Sequence, residues 1–253
     1  MQFVSIELDP DEAAVAEAGG MMYMEDGIEM ETIFGDGSEA QAQSGLLGKL
    51  LGAGKRLLTG ESLFMTVFWN RASGKRHVAF GAPYPGKIVP VYLPRVGGEL
   101  LAQKDSFLCA AKGVGIGVGI NRRIGAGFFG GEGFIMQRLT GDGWSFLHAG
   151  GTIHERELAA GEVVRVDTGC IVAFQPSVEF DVEFVGRIKS ALFGGEGLFF
   201  ATLRGPGRIW LQSLPFSRMA DRIFAAAPKA GGKRRGEGSL LGGLGGLLDG
   251  DND

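Results

Sequence analysis

One pattern constrains this chain more than any other: the same unit is written three times. "GEGFIMQRLTGDGWSFLH" begins at Gly131 and "GEGLFFATLRGPGRIWLQ" at Gly195, 64 residues later. Each has a short apolar run, a Gly-x-Gly turn and a second apolar run, the pattern of two strands joined in a hairpin. A fainter version, "GESLFMTVFWNRASGKRHVAF", begins 71 residues earlier, at Gly60. Its turn, around Asn70–Lys75, is two residues longer, the kind of change hairpin tips tolerate. A second shared element precedes each hairpin: "RVGGELLAQKDSFLCAA" (95–111) resembles "LAAGEVVRVDTGCIVAF" (158–174), and "LDPDEAAVAEAGGMMYM" (8–24) fits the same frame. In this alignment Glu12, Glu99 and Glu162 correspond. Periods of this length are read as repeated structural units before any motif is read as a site.

The expected fold is therefore all-β: three related β-hairpin-rich units in one compact body. The units cover about residues 4–83, 88–150 and 151–215, the first stretched by an insert near 35–56. "LFFATL" and "LFMTVFW" are continuously apolar, as in strands covered on both faces. Trp69, Trp144 and Trp210, one per hairpin, suit core or interface anchors. One local signal conflicts. "DPDEAAVAEAGG" has the N-cap, the early Pro, the Ala-rich interior and the closing Gly of a helix. Its two counterparts read as strands, so it is assigned as a strand, because tertiary context overrides propensity. A real helix is expected at "SRMADRIFAAAP", over 217–227, closing a single domain of residues 1–228. Residues 229–253 form a Gly/Leu-rich, low-complexity tail expected to be flexible.

Composition removes several functions. Gly makes up 45 of 253 residues, against a usual ~7%. Without a Gly-X-Y period this means many tight turns, not collagen. The net charge of -4 supplies no global basic field, so no nucleic-acid partner is expected. Cys109 and Cys170 make neither a metal motif nor a disulfide framework and read as small buried hydrophobes. Neither a signal peptide nor a spanning apolar run is visible. The expected location is the cytoplasm, with peripheral contact at a membrane left open.

The motifs with catalytic associations fail on context. "GAGFFG" (Gly125–Gly130) matches the dinucleotide fingerprint but is followed by a strand instead of the required helix. "GAGKR" (Gly52–Arg56) lacks the first Gly and the Ser or Thr of a phosphate loop. No G-x-S-x-G elbow is present. His77, His148 and His154 have no Cys or carboxylate at ligand spacing. His148 aligns with Gln212 and Ala79, as a tolerant polar slot would. Glu61, Glu132 and Glu196 recur after Gly. They read as local turn acceptors, with convergence into a cation-binding cluster as the competing reading. The insert "SGLLGKLLGAGKRLL" (44–58) places Leu46, Leu47, Leu50 and Leu51 on one helical face, with Lys55 and Arg56 adding charge. Such a segment contacts a membrane or a partner, or else covers the β body.

"GGMMYM", "KDSFLCA", "FFGGEGFIMQRLTGDG", "VDTGCIVAF" and "LFGGEGLFFATLRGPGRIWLQSLP" together resemble the altered-inheritance-of-mitochondria protein 24 family, the mitochondrial biogenesis family, in its bacterial form. The resemblance covers about residues 4–225. It implies an all-β fold similar to the trp RNA-binding attenuation protein, to which the helix read from 217–227 is added. It also implies a link to inner-membrane organisation in fungal members, and no established enzymatic activity or cofactor. The expected function is thus a non-enzymatic assembly or scaffold protein, or a membrane-associated interaction protein. It is expected to form a homo-oligomer and to reach a protein partner or membrane surface through residues 44–58 and the tail. A small-ligand or nucleic-acid binding module, and an enzyme or metal binder using Glu61, Glu132 and Glu196, are the alternatives.

Overall fold

The repeat resolves into six strands, three times over. A computed structural model describes residues 1–17, 19–34, 64–122, 134–184 and 199–227. The first set is β1 (Phe3–Leu8), β2 (Ala13–Glu17), β3 (Met21–Met24), β4 (Ile28–Phe34), β5 (Phe64–Asn70) and β6 (Arg76–Gly81). The second is β7 (Gly86–Tyr92), β8 (Glu99–Gln103), β9 (Phe107–Ala111), β10 (Gly115–Arg122), β11 (Phe134–Thr140) and β12 (Trp144–Gly150). The third is β13 (Ile153–Leu158), β14 (Val163–Asp167), β15 (Ile171–Phe174), β16 (Glu179–Phe184), β17 (Phe199–Arg204) and β18 (Gly207–Gln212). One helix follows, α1 (Phe216–Ala226). By its contacts the chain divides into Met1–Phe216, which holds every described strand, and Ser217–Asp253.

Pairing obeys one rule in all three sets. The sixth strand is flanked by the first and third, and the fifth by the second and fourth, always antiparallel. Sets are joined where the second strand of one pairs with the third of the next: β2 with β9, and β8 with β15. The result is sheet I (β1-β6-β3), sheet II (β4-β5-β2-β9-β12-β7), sheet III (β10-β11-β8-β15-β18-β13) and sheet IV (β14-β17-β16).

Side-chain alternation orders the sheets as layers. On β2, Ala13 and Val15 enter a core shared with sheet III, while Ala14 and Ala16 enter a core shared with sheet I. On β8, Leu100 and Ala102 face sheet II and Leu101 faces sheet IV. Sheets II and III thus each pack against another sheet on both faces. This explains the helix-like stretch: β2 is Ala-rich because Ala14 and Ala16, both 0% exposed, lie in a strand squeezed between layers.

The strands flanking the Asn70–Lys75, Gly141–Gly143 and Gly205–Gly207 turns are not hairpins. β5 lies in sheet II but β6 in sheet I, and the later copies divide the same way. Continuous apolar strands need cover on both faces, so each turn carries the chain from one layer to the next. The hairpin in each set is instead the fourth and fifth strands, β4–β5, β10–β11 and β16–β17.

Candidate binding cleft

Strand β1 is an edge strand. It pairs with β6 along one side, from Phe3↔Gly81 to Leu8↔Arg76, and with no described strand along the other. Two open clefts follow its length. One, of about 690 Å3, is bounded by Ile6, Glu7 and Leu8 of β1, by Asp11, Glu12 and Ala13, by residues 111–115, and by Trp69, Trp144 and Phe146. The other, of about 580 Å3, is lined by residues 1–5 with Ile88, Pro90 and Phe146. They share Phe146, so together they form a groove beside β1.

The floor is the outer face of β12. Leu147 and Ala149 point into the core between sheets II and III, which turns Trp144, Phe146 and His148 the other way. Trp144 and Phe146 stack with centroids 6.4 Å apart, and Tyr92 lies 5.1 Å from Trp144. Trp144 is 45% exposed, so of the two roles its spacing suggested it does not take the core one. Trp210 is buried and fits the core role. Beyond Phe146, His148 is buried; its Nε2 donates to the Tyr84 carbonyl oxygen at 3.0 Å, and its ring meets Tyr84 edge-on at 4.2 Å. Burial holds its pKa below the ordinary value, so the ring is a neutral piece of wall. Burial also pushes the Tyr84 hydroxyl up to about 12.

The rim is charged. Lys75 beside Glu7 holds the Glu7 carboxyl below its usual range. Asp11 pairs with Arg71 at 3.4 Å. Arg71 and Lys112 lie 4.4 and 4.7 Å from the Trp69 ring centre, both at cation–π distance. Glu12 is committed locally, its Oε2 accepting from the Asp9 amide at 2.8 Å. Glu162 does the same for Ala159 in the third set. The arrangement offers an apolar floor, an open backbone edge and ionic ends.

The other candidates separate. Leu46, Leu47, Leu50, Leu51, Lys55 and Arg56 lie outside the described residues, as do Glu61, Glu132, Glu196, both glycine motifs and the tail. Among the described residues no group of three or more His, Cys, Asp or Glu is placed to hold a metal ion. No described helix is long and apolar enough to cross a membrane. Cys109 is buried and Cys170 half-buried, and neither is in a disulfide. The strand register also corrects two alignments. Phe80, Leu147 and Leu211 are equivalent, paired with Met21, Phe107 and Ile171, so the first-set counterpart of His148 is Gly81, not Ala79. Glu99 corresponds to Ala13 and Val163, one residue from Glu12 and Glu162. The groove itself was missed, although the alternation of Trp144, Phe146 and His148 with Leu147 and Ala149 already marks β12 as two-faced.

The model of the family described as Mitochondrial biogenesis AIM24 matches residues 1–214. The chain belongs to this family. The AIM24 chain is 29% identical over 233 residues to an uncharacterised protein of Streptococcus pyogenes serotype M6, covering 90% of this chain and 88% of that one. The resemblance to a bacterial member therefore holds. A crystal structure of a Streptococcus pyogenes protein superposes with a TM-score of 0.67 at 23% identity, covering 89% of this chain and 94% of that one. At that identity it establishes the shared β fold.

Proposed function

We propose that this AIM24 chain is a non-enzymatic assembly protein that captures an extended segment of a protein partner as an added strand along β1. The observation that carries this reading is the groove, which runs beside an open strand edge over the aromatic floor of Phe146 and Trp144. Strand addition draws affinity from main-chain hydrogen bonds and specificity from pockets meeting every second side chain. Here alternate apolar side chains of the guest meet Ile88, Phe146 and Trp144, and ionic groups at its end meet Glu7, Asp11 or Lys112.

Trp69 and Trp144 line the groove while Trp210 is buried, so tryptophan fluorescence reports occupancy. Peptides selected from a random display library should show alternating apolar residues and shift that fluorescence. Trp144→Ala removes a half-exposed ring and should leave the circular dichroism spectrum intact. It should weaken the selected peptides about tenfold or more, on the order of 1.4 kcal/mol. Equal binding by Trp144→Ala, or selection without an alternating pattern, would overturn the proposal.

A further inference from the structure

We infer that the free edges of β3 and β14 join copies of this chain, β14 of one copy pairing antiparallel with β3 of the next. The inference is independent of the groove along β1. Inside the chain, the second strand of a set pairs with the third strand of the following set twice: Val15↔Ala110 and Ala16↔Cys109 at one junction, Leu101↔Phe174 and Ala102↔Ala173 at the other. The same rule leaves two strands over. β14 is the second strand of the last set, β3 the third strand of the first, and neither has a described partner on its outer side. Sheets IV and I are the two halves of one more six-stranded sheet.

The two edges are built for that pairing. β9 and β15 each carry an extra residue against their sixth strand, Leu108 and Val172, and β3 carries Met22 at the same place. All of β15 and all but the last residue of β9 are buried. In β3, Met21, Met22, Tyr23 and Met24 are 37%, 56%, 41% and 39% exposed. Edge strands that stay solvated are normally blunted by Lys, Pro or inward charge; Met-Met-Tyr-Met has none. The opposing edge, Val-Val-Arg-Val-Asp, is rich in β-branched residues and exposes Val163. In the single chain the outer faces are polar and exposed, with Glu7, Lys75 and His77 on sheet I and Arg165, Glu179 and Arg204 on sheet IV. Equivalence with the internal junctions sets the register: Met24 opposite Arg165 and Tyr23 opposite Val166. A heterologous contact of this kind extends from copy to copy.

The test uses the full chain. Its light-scattering mass should rise from that of one chain as concentration increases, and Met22→Lys with Met24→Lys should hold it at one chain. Under mild oxidation, a mixture of Met24→Cys and Arg165→Cys chains should form a disulfide-linked pair. Met24→Cys with Val163→Cys, two residues out of register, should do so at least tenfold less. A wild-type chain monomeric throughout, a mass unaffected by the two lysines, or linking insensitive to register would overturn the inference. So would Met24→Cys linking to itself as readily, since β3 would then pair with β3. Peptide capture along β1 would survive any of these outcomes.

Discussion

Glu17, at the end of β2, shows how one buried carboxyl couples this fold to pH. Burial, and then the neighbouring Asp105, push its pKa up to about 7, with Lys104 opposing. The unfolded carboxyl titrates near 4.5. Below that pH both states hold the proton and Glu17 costs nothing. As pH rises towards 7 the unfolded chain releases the proton while the folded chain keeps it, so stability is lost, and the loss is complete above 7. Glu17→Gln should therefore match wild type at pH 4 and be more stable at pH 8, on the order of 2 kcal/mol. Urea unfolding at both pH values checks this; a difference of equal size at pH 4 would assign the effect to shape instead. Residues also mark where the layers stop. Val15 and Leu101, equivalent on β2 and β8, are buried by the next sheet, and the third copy has exposed Arg165. A polar outer face is what ends a stack of repeats.

At the scale of elements, the tightest joint is the corner between β12 and β13. Gly150 pairs with Gly86, and a Cβ on Gly150 would stand 1.9 Å from the Leu214 carbonyl oxygen. One on Gly86 would stand 2.0 Å from the Ala149 oxygen. Gln212 locks the corner, its Oε1 accepting from the Gly150 amide at 2.7 Å and its Nε2 donating to the Gly169 carbonyl at 2.9 Å. Backbone cannot retreat there without breaking strands, so Gly150→Ala should cost about 3 kcal/mol or more. Gly117→Ala, with open space around it, should cost less than about 1 kcal/mol. Denaturant unfolding of the pair measures the difference; equal costs would show that the corner relaxes. The elements also show what was readable. Strand-forming runs and turns were legible from apolar runs and glycines, and α1 from its amphipathic pattern. That β5 and β6 belong to different sheets was not, because a turn sequence records a reversal and not which layer receives the next strand.

At the scale of the whole molecule, sheet II is shared by the first and second sets and sheet III by the second and third. No set can leave without stripping a face or an edge from its neighbour. Residues 1–216 should unfold in one transition, with tryptophan fluorescence and far-ultraviolet circular dichroism coinciding. A fragment of residues 151–216 should stay unfolded, because β15 loses β8 and Trp210 loses the core it enters. Separate transitions, or a folded fragment, would mean that the sets are independent.

The sequence by itself determined the β class, the threefold repeat and the family, because alternation, turn chemistry and motif spacing are local properties copied from unit to unit. It also carried enough to overrule the helix-like reading of β2, through comparison with its two counterparts. Only the tertiary structure decided that β3 and β14 have no described partner on their outer sides, and that Trp144 lines a groove while Trp210 fills a core. Near-identical local patterns reach different ends there. Burial depends on which sheet arrives from elsewhere in the chain, and at the two ends of a stack no further sheet arrives.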